Sequence, residues 1–402
     1  MSIARQLLVK AFHRAQAAQL RGSSAHIRLP LSQAQCPDYF AMRNLAEAET
    51  FRAELGLAER KGAIELQLTP RQAVPRDVAA IVVADLSTLS THLGLDLRVD
   101  QVAQARDLLA KYRDEFQVIN DILDRWSTGK KVRESEPTEE VVQDLLDAVR
   151  VVQARRGKNE DVLMRRESIR LFQDSKRIEK LDRWLDILSA SDLHASGLKS
   201  SEIFSALGLH KEPQPFLIAA IAVVHGQDGD SYLFRPYHGL PMASITGFRF
   251  EQSPSCVLTV ENKQTFHELA VQAVGTAACV IYTGGMPSPA WHGVYAKVLQ
   301  AIPGGVPVYH FGDLDVGGFR IAYAIAKTVS AQRRSLEPWL MDSAHLAQQG
   351  YALYPVAEGQ VKAMQGLCER IGWNAIADSL SRCPGMLEQE VVAPSLPQTT
   401  SA

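Results

Sequence analysis

The last 150 residues alternate between two hydrophobic patterns. Short apolar runs, "CVLTV", "ACVIY" and "VPVYHF", are each followed by stretches with apolar residues every three or four positions, "QTFHELAVQAV", "AWHGVYAKVLQAI" and "FRIAYAIAKTV". The first pattern predicts buried strands and the second predicts helices. Strands alternating with helices of this length predict a parallel α/β layer over 251–392, with "LEPWLM" as a candidate fourth strand. The polar tail 393–402 is predicted to be disordered.

A different pattern occupies residues 161–250. The stretch "MRRESIRLFQDSKRIEKLDRWLDIL" predicts a helical segment interrupted near "QDSK". The next stretch, "SSEIFSALGLHKEPQPFLIAAIAVV", predicts a helix, a turn at Gly208 and a second helix. An Asp-Gly turn in "HGQDGDSYLF" then leads into a strand. Helix, helix and hairpin in this order indicate a winged helix, a fold that often places a helix on DNA.

The first 160 residues are predicted to form two further parts. Over 1–95, a basic N-terminal helix precedes a helix, a turn at Gly56, a second helix and the strand "AIELQL", which together indicate a winged-helix-like unit. Over 96–160, helical periodicity around the polar break "STGKKVRESEPTEE" indicates a helical arm. The first 37 residues contain no Asp or Glu. That composition is typical of mitochondrial transit peptides, but the absence of a cleavage pattern favours an ordinary helix.

Composition narrows the class of protein. A hydrophobic share of 46% and a charged share of 22% are those of a soluble globular protein, and no apolar run approaches the length of a membrane span. The five cysteines are scattered and form no CxxC pair, which argues against a disulfide framework and a structural zinc site and favours the cytoplasm.

The net charge of −2 gives no support for nucleic-acid binding, so such a role must depend on a local patch. Residues 149–183 contain eleven Lys or Arg against six Asp or Glu. This excess marks either a solvated helix face or a DNA-binding surface. The candidate phosphate contacts are Arg165, Arg166, Arg170, Lys176 and Arg177.

Polar residues follow the predicted strands of the C-terminal layer. Glu261 follows the first strand, and Asp313 and Asp315 follow the third. Functional groups collect beyond the carboxyl ends of parallel strands. Three carboxylates that converge there need a compensating cation, and Mg²⁺ and Mn²⁺ prefer carboxylate and water ligands. The sequence therefore predicts a Mg²⁺ or Mn²⁺ site, with Glu261 completing the metal shell or acting as general acid or base.

Several nearby residues could assist that site. Gly317 and Gly318 open the next helix, whose free backbone N–H groups favour a phosphate. Lys263 and His310 lie close enough in sequence to contact phosphate, or are ordinary surface residues. The late "LEQE" offers two more acidic side chains, Glu388 and Glu390, as ligands of a second metal or as a solvated helix end.

A lone DxD motif fits several enzyme classes. Phosphatases of the haloacid-dehalogenase type use DxDx(T/V), but here the fifth position is Gly317 and the motif lies late in the chain. Sugar transferases with a DxD motif need neither a preceding Glu-bearing strand nor a winged helix. Both classes are therefore less favoured.

Two motifs resemble the metal-binding module Toprim, which occurs in topoisomerases, primases and some nucleases. That family places a Glu after its first strand and a DxD after its third, as "TVENKQTF" at 259–266 and "FGDLDVGGFRI" at 311–321 do here. Together with "RESIRLFQDSKRIEKL", "YTGGMPSP" and "LEQEVV", these motifs fall in the order seen in the JetD family, the nuclease subunits of Wadjet plasmid-defence systems. The resemblance covers residues 161–392.

The residue patterns place an N-terminal winged-helix-like domain (1–95) and a helical arm (96–160) at the start of the chain and a disordered tail (393–402) at its end. Between them, the resemblance implies a CAP-like winged-helix domain (161–250) followed by an α/β Toprim domain with a parallel sheet flanked by helices (251–392). It also implies a Mg²⁺- or Mn²⁺-dependent DNA endonuclease that uses Glu261, Asp313 and Asp315. The implied partners are double-stranded plasmid DNA and an SMC-type motor complex. Cleavage of both strands favours a homodimer.

One departure from the related type IIB topoisomerases concerns the nucleophile. Those enzymes cut DNA with a tyrosine on the winged helix, whereas the tyrosines within 161–250 are Tyr232 and Tyr237, in the predicted wing and the strand after it. Metal-activated water is therefore the expected nucleophile. A tyrosyl transesterase and a catalytically inactive DNA-binding or assembly subunit stay as alternatives.

Overall fold

The computed structural model describes residues 1–20, 22, 27–42, 45–69 and 78–398. The chain divides into two compact units, Met1–Leu146 and Asp147–Ala402. None of the helices in the described ranges has the length and apolar character needed to span a bilayer.

The N-terminal unit combines helices with a small antiparallel sheet. Its elements in chain order are α1 (Ile3–Leu20), β1 (Arg28–Pro30), α2 (Pro37–Phe40), α3 (Leu45–Arg60), β2 (Ile64–Leu68), β3 (Val78–Val83), α4 (Leu86–Leu93), α5 (Arg98–Leu109), α6 (Val118–Ser127) and α7 (Glu139–Arg155). The boundary between the units falls inside α7.

The apolar face of α1 packs into the core of this unit. Phe12 of α1, Leu55 of α3 and Ile81 of β3 are each at most 1% exposed and belong to one cluster. The sheet has the order β1-β3-β2 with antiparallel pairing throughout. The expected turn at Gly56 is wrong, because α3 continues through that residue and the chain turns at Gly62, whose φ of +78° suits glycine.

The C-terminal unit carries the predicted α/β layer. Its elements are β4 (Val162–Leu163), α8 (Met164–Phe172), α9 (Asp182–Ala190), α10 (Ser200–Ala206), β5 (Leu209–His210), β6 (Pro215–Ala219), β7 (Ala222–Gly226), β8 (Gly229–Tyr232), β9 (His238–Pro241), β10 (Ile245–Phe250), β11 (Val257–Val260), α11 (Lys263–Gln272), β12 (Cys279–Tyr282), α12 (Pro289–Gln300), β13 (Val308–Phe311), α13 (Val316–Ala331), β14 (Leu336–Pro338), α14 (Ser343–Gln348), α15 (Glu358–Ile371) and α16 (Asn374–Arg382).

Within the described residues, the main sheet has six strands in the order β14-β13-β11-β12-β6-β9. The pairs β14/β13, β13/β11 and β11/β12 are parallel, as predicted for a βαβ layer. Strand β6 joins β12 in the antiparallel sense, and β9 pairs antiparallel with β6. The unit therefore has a mixed α/β fold. The strands whose ends were predicted to hold the site belong to the parallel part of its sheet.

One segment upstream differs from the predicted helical pattern. The apolar stretch after Gly208 was expected to be a helix, but it forms β6 and β7, and its Phe216 and Ile218 are fully buried. A short apolar run has the same composition in a buried helix and in a buried strand, so periodicity could not separate them. The predicted hairpin is confirmed, with Val223 of β7 opposite Tyr232 of β8.

The start of the predicted tail packs against the C-terminal unit. The backbone carbonyl of Ser395 accepts a hydrogen bond from Trp339 Nε1 at 2.7 Å, and the amide of Ala393 donates to the Tyr351 hydroxyl at 3.1 Å. The last four residues, 399–402, lie outside the described residues.

Candidate functional site

Strands β11 and β13 bring Glu261 and Asp313 together. The two strands are parallel neighbours with Val260 opposite Phe311, so the residue after each strand emerges at the same edge. The Glu261 amide donates to the Phe311 carbonyl at 3.1 Å, which extends the ladder by one residue. The Asp313 amide then donates to Glu261 Oε2 at 3.2 Å. The predicted meeting of these residues at one sheet edge is thus a direct contact.

Asp315 forms the N-cap of α13. Its Oδ1 accepts a hydrogen bond from the Gly318 amide at 2.7 Å, which satisfies one of the free N–H groups of the helix start. The residue between the two aspartates, Leu314, is 2% exposed and pairs with Leu387 across an isolated antiparallel bridge. Because Leu314 is fixed in the core, the aspartates on either side of it are held just beyond the end of β13, where both are partly buried.

The late segment that contains "LEQE" closes one side of the site. Gln389 is 1% exposed, its amide donates to Asp313 Oδ1 at 2.7 Å, and its side chain bridges the Asn262 amide and the Phe311 carbonyl. Glu390 accepts a hydrogen bond from the side chain of Asn262. The structure therefore brings both predicted glutamates to the site, because Glu388 and Glu390 flank the residue that binds Asp313.

Burial and mutual repulsion shift the acidity of these carboxyls. Burial raises the pKa of Glu261 well above its usual range, and the negative charge of Asp313 raises it further. Burial also raises the pKa of Asp313 to about 6, with the charges of Asp315 and Glu388 acting in the same direction. Such clustered carboxyls either share protons or bind a cation.

His310 is buried below the carboxylates. It is 0% exposed, so the prediction that it lies on the surface or contacts phosphate is wrong. Its Nδ1 lies 3.0 Å from Thr259 Oγ1, which itself donates to the Tyr309 carbonyl, so the ring carries its proton on Nδ1. Its Nε2 has no hydrogen-bond partner among the described residues. Burial lowers the pKa of His310 to about 3, so the ring is neutral.

The carboxylate oxygens suit a hard divalent cation. Within the described ranges, no three acidic, His or Cys side chains already converge as a finished metal site. One oxygen of each principal carboxylate is instead held by a backbone N–H, while Glu261 Oε1, Asp313 Oδ2 and Asp315 Oδ2 accept no hydrogen bond from the part of the chain that the structure describes. The backbone thus fixes the carboxylates and leaves one oxygen of each for a ligand.

The start of α13 is covered by another loop. A Cβ on Gly317 would lie 3.0 Å from the Gly197 carbonyl oxygen, and both Gly317 and Gly318 are buried. The Gly318 amide is already bound by Asp315. A phosphate could reach these N–H groups only if the Gly197 loop and the Asp315 cap moved, and phosphate binding at the two glycines stays a prediction.

The predicted basic contacts differ in exposure and in how closely they are ion-paired. Arg166, Lys176 and Lys263 are exposed, and Lys263 is the first residue of α11 beside Asn262. Arg165 is also exposed and lies 3.9 Å from Glu179. Arg170 and Arg177 instead form ion pairs, with Glu167 at 2.6 Å and Asp147 at 2.7 Å.

Both tyrosines proposed as nucleophiles lie in the antiparallel part of the unit. Tyr232 is 66% exposed at the end of β8, and its hydroxyl lies 3.4 Å from Glu251. Tyr237 packs its ring against Phe266 of α11 with a centroid distance of 5.5 Å.

The sequence analysis missed three residues that line the site. Gln389 binds Asp313, Lys199 lowers the pKa of Asp313, and the charge of Glu202 raises the pKa of Glu261. Gln389 could have been noticed between two predicted ligands. Lys199 and Glu202 gave no such signal, because they lie more than 50 residues before Glu261 in sequence.

Comparison with known proteins agrees with the motifs. Residues 227–393 match the family model for the C-terminal part of Wadjet protein JetD. Wadjet protein JetD from Bacillus cereus (strain Q1) is 29% identical over 142 residues, which cover 34% of this chain and 33% of that relative. The match thus spans about a third of the relative's length. The predicted resemblance is confirmed, and the chain is JetD-like over its C-terminal part.

Proposed function

We propose that this chain is a Mg²⁺- or Mn²⁺-dependent DNA endonuclease subunit of a Wadjet anti-plasmid defence complex, with a Toprim-type active site. The observation that carries the proposal is the contact between Glu261 and Asp313 at the ends of two parallel strands, with Asp315 capping the following helix. A divalent cation held there would neutralise the scissile phosphate and activate a water molecule for attack.

The residues of the site would divide the work of phosphodiester hydrolysis. Asp313 and Asp315 supply oxygens for the cation, since each has one oxygen fixed by a backbone amide and one left over. Burial raises the pKa of Glu261 well above its usual range, so this carboxyl can hold a proton for exchange with water or with the leaving oxygen. Gln389 holds Asp313 in place through its amide. Glu388 and Glu390 would bind a second cation on the same side.

The DNA path would extend from the carboxylates to the exposed basic side chains. Arg165, Arg166, Lys176 and Lys263 are exposed and able to contact phosphates. Double-stranded plasmid DNA would be the substrate, an SMC-type motor complex would deliver it, and two copies of the chain would cut the two strands. The winged helix over 161–250 would hold the duplex.

Plasmid cleavage tests the proposal. The chain is incubated with supercoiled plasmid and Mg²⁺ or Mn²⁺, alone and with its partner complex, and linear product is followed on gels. Glu261→Gln and Asp315→Asn should each reduce cleavage at least about 100-fold, because each removes a group acting at the phosphate. Exposed Glu268 provides the matched control, and Glu268→Gln should cut normally. Unchanged cleavage by the first two variants would refute the site assignment.

A second candidate function is a DNA-binding or assembly subunit without catalysis. The observation in its favour is that the carboxylates are bound by backbone amides and form no finished metal group among the described residues. Calorimetric titration with Mn²⁺ separates the two. Binding that is lost in Asp313→Asn supports the nuclease, whereas the absence of carboxylate-dependent binding supports the assembly subunit.

The transesterase alternative would use Tyr232, which is exposed on β8, or Tyr237, whose ring packs against Phe266. It requires a covalent protein–DNA adduct that resists denaturation and disappears in Tyr232→Phe or Tyr237→Phe. Hydrolysis by water leaves no adduct, so one denaturing gel of the cleavage reaction distinguishes these mechanisms.

A further inference from the structure

A loop from outside the matched segment lies on the carboxylate site. Gly197 adopts a φ of +85°, and a Cβ there would lie only 2.9 Å from the Gly317 amide nitrogen at the start of α13. The Ser196 amide donates to Asp186 Oδ2 at 3.1 Å, which fixes the loop to α9. The loop continues into α10, whose first turn contains Glu202. Gly197 is therefore held in direct contact with the helix that Asp315 caps.

The backbone fixes the carboxylate of Glu202 as it fixes those of the other site residues. Glu202 Oε2 accepts a hydrogen bond from the Lys199 amide at 2.7 Å. Its Oε1 accepts no hydrogen bond from the described part of the chain and lies 2.6 Å from the position that a Cβ on Gly285 would occupy. Gly285 follows strand β12 and has a φ of +76°. The glycine pair after this strand thus leaves room for the Glu202 carboxylate over a third strand end.

The charges place Glu202 in the same acidic cluster. Burial raises the pKa of Glu202, and the negative charge of Asp315 raises it further. Glu202 in turn raises the pKa of Glu261. The negative charge of Glu388 raises the pKa of Asp313. Five carboxylates from four separate parts of the chain therefore act on one another electrostatically, and Glu202 interacts with both Asp315 and Glu261.

Two buried polar atoms that have no hydrogen-bond partner among the described residues point to a ligand in this region. His310 Nε2 lies 2.8 Å from the position of a Cβ on Gly312, and Glu261 Oε2 lies 2.7 Å from the same point. Thr283 Oγ1 is the second such atom, on a residue that is 6% exposed. Thr283 and Glu202 line one cavity of about 330 Å³. Buried polar atoms of this kind are normally satisfied by water, an ion or a ligand.

We propose that Glu202 is a further metal ligand of this site, sharing a divalent cation with Asp315. The inference deepens the proposed function and rests on it, because it concerns the same cation site. Glu202 lies outside residues 227–393, so the matched C-terminal module would be incomplete as a metal site without the helix before it. Free oxygens on both carboxylates provide the hard donors that Mg²⁺ and Mn²⁺ prefer.

Mn²⁺ titration of the full chain tests the inference without any cleavage assay. Binding is measured by calorimetry and by the electron paramagnetic resonance signal of free Mn²⁺, in wild type, Glu202→Gln and Glu261→Gln. Glu202→Gln keeps an acceptor for the Lys199 amide but removes the charge, and we expect at least about tenfold weaker Mn²⁺ binding. Glu212 lines the same cavity and is exposed, so Glu212→Gln is the matched control and should bind as wild type does.

The outcomes separate this inference from the function on which it rests. Wild-type Mn²⁺ binding in Glu202→Gln, together with a loss in Glu261→Gln, would overturn the role of Glu202 and leave the proposed site intact. Absence of Mn²⁺ binding in the wild type would overturn both. If Glu202→Gln fails to fold by circular dichroism, Glu202→Asp replaces it. This variant keeps the charge but shortens the side chain, so it should also bind Mn²⁺ more weakly, and binding equal to wild type would overturn the inference.

Discussion

Replacing Asp313 with Asn tests the electrostatics of the site through protein stability alone. The Asp313 carboxyl has a pKa of about 6 in the fold against an ordinary value of 3.8. Each pH unit of difference corresponds to about 1.4 kcal/mol, so ionising this group in the folded protein costs about 3 kcal/mol. Asp313 is only partly buried, and solvent screening reduces that cost to about 1–3 kcal/mol.

The sign of the pH dependence follows from the raised pKa. Between about pH 4 and pH 6 the folded protein holds a proton that the unfolded chain has lost, so stability falls as the pH rises through this window and is level above it. Asp313→Asn removes the ionisation but keeps an oxygen acceptor for the Gln389 amide. In the absence of divalent cations, the variant should match wild type near pH 4 and exceed its stability by about 1–3 kcal/mol at pH 8.

The assay is urea unfolding in EDTA at pH 4, 6 and 8, followed by circular dichroism. Asp378→Asn on the exposed face of α16 serves as the control and should show no such pH-dependent gain. Added Mn²⁺ should stabilise wild type and leave Asp313→Asn unchanged, because the cation binds only the folded site. A variant that is less stable than wild type by the same amount at pH 4 and pH 8 would refute the electrostatic argument.

Three further changes test the surroundings of the site. Gly312→Ala places a Cβ 2.7 Å from Glu261 Oε2, so we expect a loss of plasmid cleavage of about 100-fold with the fold intact by circular dichroism, and cleavage at the wild-type rate would contradict this. Arg166→Ala should leave stability unchanged. It should lower the slope of log DNA affinity against log salt concentration, measured by fluorescence anisotropy, by the contribution of about one phosphate contact. Arg177→Ala should instead destabilise the chain in urea unfolding by about 3 kcal/mol, because it removes the 2.7 Å ion pair of Asp147, which is 5% exposed.

The parallel layer could be predicted from the sequence because each of its strands is a separate apolar run next to a capped helix. Asn262, Ser288 and Asp315 each follow or closely follow a strand and accept hydrogen bonds from the first turn of the next helix. These caps lie where the hydrophobic pattern changes from strand to helix, so local preferences and the pattern agree. The position of Glu261 beside Asp313 then follows from parallel pairing, and the sequence was sufficient to predict it.

The remainder of the site depends on contacts between distant parts of the chain. Strand β6 belongs to the sheet, although the pattern of apolar residues predicted a helix for that segment. Gln389 reaches Asp313 across 76 residues, and its role depends on the bridge between Leu314 and Leu387. No local pattern encodes such a pairing, because register between distant segments is set by tertiary packing. The burial of His310 was missed for the same reason.

Backbone hydrogen-bond donors help to keep the carboxylates near one another. Backbone amides of Asp313, Gln389 and Gly318 each bind one carboxylate oxygen, and these partial charges offset part of the repulsion. They do not remove it, since the pKa values of Glu261 and Asp313 stay raised. A site of this kind is fixed in position by the backbone yet unfavourable when fully ionised. Binding of a divalent cation would relieve the repulsion between the ionised carboxylates. The repulsion that destabilises the metal-free protein at neutral pH would therefore also strengthen its affinity for the metal.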